Sequence, residues 1–265
     1  MILTSILILT GTGIFVAIAI GLVAKYFGAP PNPKAERLAE MMPGANCGGC
    51  GFAGCGDYAK AMLEGKAAPG HCPSMSKQTI AAISKLLGVE AQETEPKVAV
   101  VCCSGDDNHA VRRAFYNGIN DCSTATQVAG AGKACLHGCL GLGTCARACP
   151  FGAIEVTSRH IAIVHPEICV GCGKCTTVCP RHIIKLVPRT AKIHVFCSSP
   201  EPFKTKKEIC TGACIGCRKC AKAAQEGQIN FEAGKFLAKI DYANPPAPEV
   251  AESCPAKCLR SNKTR

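Results

Sequence analysis

Four cysteines close on a proline in "CVGCGKCTTVCP", Cys169 to Pro180. Intervals of two, two and three residues bring neighbouring thiolates to one centre, whereas disulfide partners come from distant segments. This is the ligand run of a [4Fe-4S] cluster whose fourth cysteine, Cys179, turns to a second cluster. The chemistry on offer is one-electron transfer, carried by the cofactor and tuned by the chain. A partner run should stand one half-repeat away, and "KACLHGCLGLGTCARACPFGAI" supplies Cys135, Cys139, Cys145 and Cys149-Pro150. Crossed ligation then gives Cys149, Cys169, Cys172 and Cys175 to one cluster. Cys139, Cys145 and Cys179 go to the other, one thiolate short, because Leu142 fills the usual second position. Cys135 is nearest in sequence, with Cys122 ("NDCSTA") and Cys102 as rivals.

Upstream, "NCGGCGFAGCGDYAKAM" and "GHCP" contribute Cys47, Cys50, Cys55 and Cys72, separated by two, four and sixteen residues. The interleaved glycines let the backbone wrap closely and aim N–H groups at sulfide, which tunes the reduction potential. Zinc, the main competitor, favours evenly paired ligands. "DYAKAMLEG" reads as a short helix with Ala59 and Met62 on one face. "TIAAISKLLG" reads as an amphipathic helix whose Ile80, Ile83 and Leu87 face a core. Met1 to Ala24 carries no charged side chain, and about 24 helical residues cross a hydrocarbon layer of about 30 Å. The run is too long, and lacks the basic start, for a cleaved signal, so a retained anchor is expected. Lys25, Lys34 and Arg37 follow it, which places the C-terminal part on the cytoplasmic side. There the reducing milieu keeps thiols available for metal. "GAPPNPK" is expected to stand that part off the bilayer as a stiff, extended linker.

An uncharged first helix, a Pro-rich linker, the two–four–sixteen module and the paired runs together resemble the B subunits of Rnf complexes, the ion-translocating ferredoxin:NAD oxidoreductases of bacterial membranes. The resemblance implies a single-pass subunit of the plasma (inner) membrane that takes electrons from soluble ferredoxin. It implies other membrane and peripheral subunits, among them a flavin-containing NADH-binding chain, and coupling to Na⁺ or H⁺ movement. The departure at Leu142 is shared by many B subunits of this type. Rival readings are a tethered polyferredoxin subunit of another membrane oxidoreductase and a non-catalytic metal storage or sensing protein.

The chain also repeats itself. "VAVVCCSG" (98–105) matches "IHVFCSSP" (193–200), which pairs Cys102 with Cys197. "KACLHGCLGLGTC" (133–145) matches "EICTGACIGCRKC" (208–220), which pairs Cys135 with Cys210 and sets Cys217 opposite Leu142. The second copy therefore holds a full trio, Cys214, Cys217 and Cys220, with Cys254 before Pro255 as the remote fourth ligand. Ala224 replaces the next cysteine and "DYANPPAPEVAE" replaces the last trio, so this copy should hold one cluster and the chain about four. Both copies keep the Cys135/Cys210 pair although only the first lacks its middle ligand. Cys122 thereby gains as the replacement, and the choice between Cys135 and Cys122 stays open. Cys102, Cys103, Cys197 and Cys258 suit a small buried apolar role equally well.

Composition agrees with this reading. Cysteine makes up 22 of 265 residues and tryptophan is absent, so inorganic centres supply cohesion that the side chains do not. Four clusters, each 2− with its thiolates, bring the formal +11 down to about +3. With no run of five basic residues, nucleic-acid binding is not expected. "AGAGK" (129–133) lacks phosphate-loop spacing, so neither a flavin nor a nicotinamide site is expected on this chain. The expected class is α+β. A transmembrane anchor (1–27) and a Pro-rich linker (28–42) precede a [4Fe-4S] module (43–92). A strand/helix extension (96–134), a bacterial-type two-cluster ferredoxin domain (135–190) and a degenerate ferredoxin-like unit (191–265) follow.

Overall fold

The structure, a computed structural model, describes residues 2–27, 33–92 and 94–261. Helix α1 (Ile2–Phe27) carries no charged side chain before Lys25 in its last turn, and its Ile2–Val23 span is long and apolar enough to cross a membrane. The Thr10 and Thr12 hydroxyls are satisfied within it, donating to carbonyls three and four residues back at 2.9–3.1 Å.

The proposed linker is only partly a linker. Gly28–Asn32 lies outside the described residues, but Pro33, suited to a first helical turn, opens α2 (Pro33–Glu40). Its Leu38 is fully buried and, with Met42, joins Tyr58, Ala59, Met62, Cys72, Met75 and Ile83 in one core. Burying one leucine there contributes about 1.5–3 kcal/mol, so the module begins near residue 33 rather than 43. Helices α3 (Cys55–Leu63) and α4 (Lys77–Leu87) complete it. Ser76 caps α4 by accepting from the Thr79 N–H at 3.1 Å.

Two copies of one plan follow. In the first, β1 (Lys97–Val101) runs antiparallel to β4 (Ile184–Pro188), while β2 (Ile154–Val156) pairs with β3 (Ala162–Val164). Short helices α5 (Cys122–Gln127), α6 (Thr144–Ala148) and α7 (Lys174–Val178) carry cysteines at or near their ends. In the second, β5 (Ile193–Val195) pairs with β8 (Leu259–Ser261) and β6 (Ile229–Phe231) with β7 (Ala238–Ile240). Helices α8 (Phe203–Ile209) and α9 (Lys219–Ala223) precede β6, and a 3₁₀ turn (Pro248–Ser253) stands where α7 would recur. Because β1 is the sheet partner of β4, the first copy runs from 97 to 188. The segment 96–134 is thus built into the ferredoxin unit instead of extending it.

Register corrects the repeat alignment by one residue. The Cys102 N–H donates to Ile183 O, and the Phe196 N–H donates to Cys258 O. Val101 faces Ile184 as Val195 faces Leu259. Phe196 is therefore the counterpart of Cys102, and Cys197 that of Cys103. The copies are stitched together by backbone bonds from Val111 N to Ile209 O (3.0 Å) and from Thr211 N to His109 O (2.9 Å).

Candidate metal centres

All 22 cysteines are unbridged. Among the described residues no three His, Cys, Asp or Glu side chains close tightly enough around a point to hold one ion. The cysteines instead ring cavities, as a polynuclear centre requires.

Cys149, Cys169, Cys172 and Cys175 line one cavity. Burial pushes the Cys175 thiol up to about 12, and the sulfurs of Cys169, Cys172 and Cys149 push it the same way. Four crowded thiolates need positive charge among them, which iron supplies. Backbone groups already point at the sulfurs: Ala99 N–H lies 3.4 Å from Cys169 Sγ, and Lys174 N–H bonds Cys172. Arg189 holds the ligand loop by donating to Cys169 O (2.6 Å) and Pro166 O (2.7 Å).

Cys122, Cys139, Cys145 and Cys179 line a second cavity. Burial, then the sulfurs of Cys139, Cys122 and Cys179, push Cys145 up to about 12. Of the two candidates left open, Cys122 lines this cavity with the trio, while Cys135 lines a different one. The reason is local. Asp121 caps α5 by accepting from Thr124 N–H at 2.9 Å and accepts from the Thr144 hydroxyl at 3.0 Å, and that hydroxyl accepts from Cys122 N–H at 2.8 Å. Leu142 turns into a small apolar cluster with Ala125, Ala131, Leu140, Tyr116 and Cys122. Leu142 thus packs in the same cluster as Cys122. Arg181 lines the same cavity, and its buried Nε has no partner among the described residues. An anionic cluster fits that orphan donor.

Cys47, Cys50, Cys55 and Cys72 belong to the module core or its rim. Burial raises the Cys50 thiol, and the sulfurs of Cys72 and Cys47 act in the same direction. Cys55 opens α3 with its N–H on Asn46 Oδ1 at 2.8 Å. In the second copy, burial and then Cys214, Cys254 and Cys217 push Cys220 up to about 11. Cys254 precedes Pro255 and β8 just as Cys179 precedes Pro180 and β4. Ala224 packs into the apolar core of this copy.

The centres adjoin one another. A methyl group on Gly49 would lie 2.8 Å from Cys172 Cα, so only glycine lets the module close on the first ferredoxin centre. Cys175 acts on Cys145 across the dicluster. Cys102 and Cys258 are buried. Cys258 is hydrogen-bonded to Cys197 and Cys214, and these bonds hold the two thiols down at about 6 and about 5. Sequence reasoning missed Cys103, Cys135, Cys197 and Cys210 as a group; Cys103 and Cys197 fell out of line because the doublet "CC" admits two alignments.

Family models match two segments: a putative Fe-S cluster over residues 42–74 and a 4Fe-4S dicluster domain over residues 134–183. The chain is 37% identical over 258 residues to the B subunit of the ion-translocating oxidoreductase complex of Methanosarcina acetivorans, covering 97% of each. It is 38% identical over 248 residues to the B subunit of the Na⁺-translocating ferredoxin:NAD⁺ oxidoreductase complex of Acetobacterium woodii, covering 93% of this chain and 74% of that one. With the proton-translocating counterpart of Clostridium ljungdahlii it shares 35% over 254 residues, 96% of this chain and 88% of that one. Cysteine-ringed cavities, dicluster match and near full-length similarity converge: the chain belongs to the family of B subunits of ion-translocating oxidoreductase complexes.

Proposed function

We propose that this chain is the membrane-anchored iron–sulfur subunit of a ferredoxin:NAD oxidoreductase of the Rnf type, taking electrons from reduced soluble ferredoxin and passing them to its partner subunits. The ligand sets are Cys47, Cys50, Cys55 and Cys72; Cys149, Cys169, Cys172 and Cys175; Cys122, Cys139, Cys145 and Cys179; and Cys214, Cys217, Cys220 and Cys254. The observation that carries the reading is the unbroken adjacency of the first three, from Gly49 against Cys172 to Cys175 beside Cys145.

When bound, [4Fe-4S] clusters supply one-electron chemistry over a wide range of potentials. The protein's residues hold, orient and shield them. Backbone N–H groups on the sulfurs and the Arg181 cation favour the more negative, reduced state. The apolar shell from Val98 to Val187 keeps water from the two central sites. Helix α1 fixes the chain to the bilayer, and Lys25, Lys34 and Arg37 hold the cysteine-rich part on the cytoplasmic side. Its span from Ile2 to Val23 contains no ionisable side chain, so the ion path belongs to other subunits.

The test is stopped-flow reduction of the anaerobically purified full-length chain by reduced ferredoxin, followed by visible bleaching and EPR. Rapid, reversible reduction is the expected result. Colourless protein, or iron centres that ferredoxin leaves oxidised, would refute the assignment.

A further inference from the structure

Four cysteines outside every ligand set above come together between the two copies. Cys103, Cys135, Cys197 and Cys210 line one cavity, just as four cysteines line each of the two dicluster sites. A methyl group on Gly105 would lie 3.4 Å from Cys210 Sγ and 3.6 Å from Cys103 Sγ; one on Gly138 would lie 3.4 Å from Cys135 Sγ and 3.6 Å from Cys103 Sγ. The sulfurs therefore face a shared space across small residues. The corrected register gives this group a pseudo-twofold origin: Cys103 is equivalent to Cys197, and Cys135 to Cys210.

The local geometry is that of the other centres. Each of the four sulfurs accepts an N–H from the residue two positions on: Gly105, His137, Ser199 and Gly212. Cys50, Cys139, Cys172 and Cys214 show the same arrangement with Phe52, Gly141, Lys174 and Gly216. Small buried apolar cysteines have no need of it.

Charge supplies an independent argument. Lys133 and Lys206 are 4% and 1% exposed, both line this cavity, and neither meets a carboxylate among the described residues. Lys133 donates to Gly105 O and Cys139 O. Lys206 donates to Ser199 O at 3.2 Å and Phe236 O at 2.6 Å. Gly105 and Ser199 are themselves equivalent, each two residues after its cysteine. Two buried cations are costly without counter-charge, and four thiolates around a [4Fe-4S]²⁺ core carry 2−.

We infer that Cys103, Cys135, Cys197 and Cys210 bind a further [4Fe-4S] cluster at the interface of the two copies, with Lys133 and Lys206 as its counter-ions. Each thiol gives up its proton to solvent as its sulfur bonds iron. The site also closes the gap in the row. Cys139 N–H lies 3.3 Å from Cys103 Sγ on one side, and on the other Cys258 bridges Cys197 to Cys214. The inference rests on the reading of the chain as an iron–sulfur relay, and the experiment separates the two.

The full-length chain, purified without oxygen, is assayed for iron, zinc and sulfide beside Cys103→Ser/Cys210→Ser, the single Cys210→Ser, and Cys102→Ser as a buried control. Wild type and control should hold about 20 Fe, the double variant about 16, with the EPR of the remaining clusters preserved. The single variant, which keeps three thiolates and guards against misfolding of the double, should lose iron from one centre alone. About 16 Fe in the wild type with no loss in either variant, or loss of one zinc instead of iron, overturns this site while leaving the relay intact. Iron-free wild type overturns both.

Discussion

The backbone N–H of Cys139 points at the sulfur of Cys103, 3.3 Å away and 36 residues distant in sequence. Cys139 lines the cavity of Cys122, Cys145 and Cys179, Cys103 lines the next one, and Gly138 lines both. One peptide unit thus forms part of two adjoining walls, so the electronic state of one centre is felt at its neighbour through a single hydrogen bond.

Cys122 and Cys135 should separate cleanly on substitution. Cys122→Ser should perturb the dicluster EPR spectrum while Cys135→Ser leaves that signal in place. The double variant Cys122→Ser/Leu142→Cys should restore a four-thiolate site, because position 142 is the counterpart of Cys217. EPR of dithionite-reduced samples reads all three outcomes.

Asp121 positions the replacement ligand without touching iron. Asp121→Ala removes the α5 cap and the bond from Thr144, and should loosen the seat of Cys122. The expected readout is faster bleaching by a chelator from this centre alone, with Asp121→Asn intermediate.

Arg181→Gln removes a buried cation beside the Cys179 centre. Reduction adds negative charge, so losing the guanidinium should lower the midpoint potential by tens of millivolts, on the order of 1 kcal/mol per electron. A spectroelectrochemical titration should show Arg181→Lys retaining part of the wild-type value.

Asp106 gives a pH-dependent contribution. Burial raises its pKa, but the His109 ring at 2.6 Å, the Arg159 cation and the Asn108 N–H outweigh it, so the carboxyl is held below its ordinary value. Its stabilisation is therefore complete above the usual carboxylate range and fades as pH falls through the depressed value. The stability gap between wild type and Asp106→Asn should be about 1–2 kcal/mol near neutrality, should begin to narrow below about pH 4 and should vanish once pH has fallen through the depressed value. Paired thermal melts across pH cancel the acid lability that both proteins share.

Cysteines that come as closely spaced runs could be expected to converge from spacing alone, and they lie together in the structure: Cys169, Cys172 and Cys175, and Cys214, Cys217 and Cys220. Cys122 could be named as a candidate but not chosen over Cys135, because the Asp121–Thr144 bond beside it links residues 23 apart. Cys103 was hidden behind Cys102, and only strand register, Cys102 N to Ile183 O, tells the two apart. The burial of Leu38 was masked by its charged neighbours in "KAERLAE", where one apolar residue carries no periodic signal. Lys133 and Lys206 have the sequence surroundings of ordinary surface cations, and only the tertiary fold, which sets them on Gly105 O and Cys139 O and on Ser199 O and Phe236 O, buries them.

Gly49 has a wider consequence. Electron tunnelling weakens exponentially with separation, and the module approaches Cys172 as closely as it does only because a side chain is missing there. A methyl group at that position would act as a shim, throttling current between the anchor-proximal module and everything beyond it while leaving every thiolate in place.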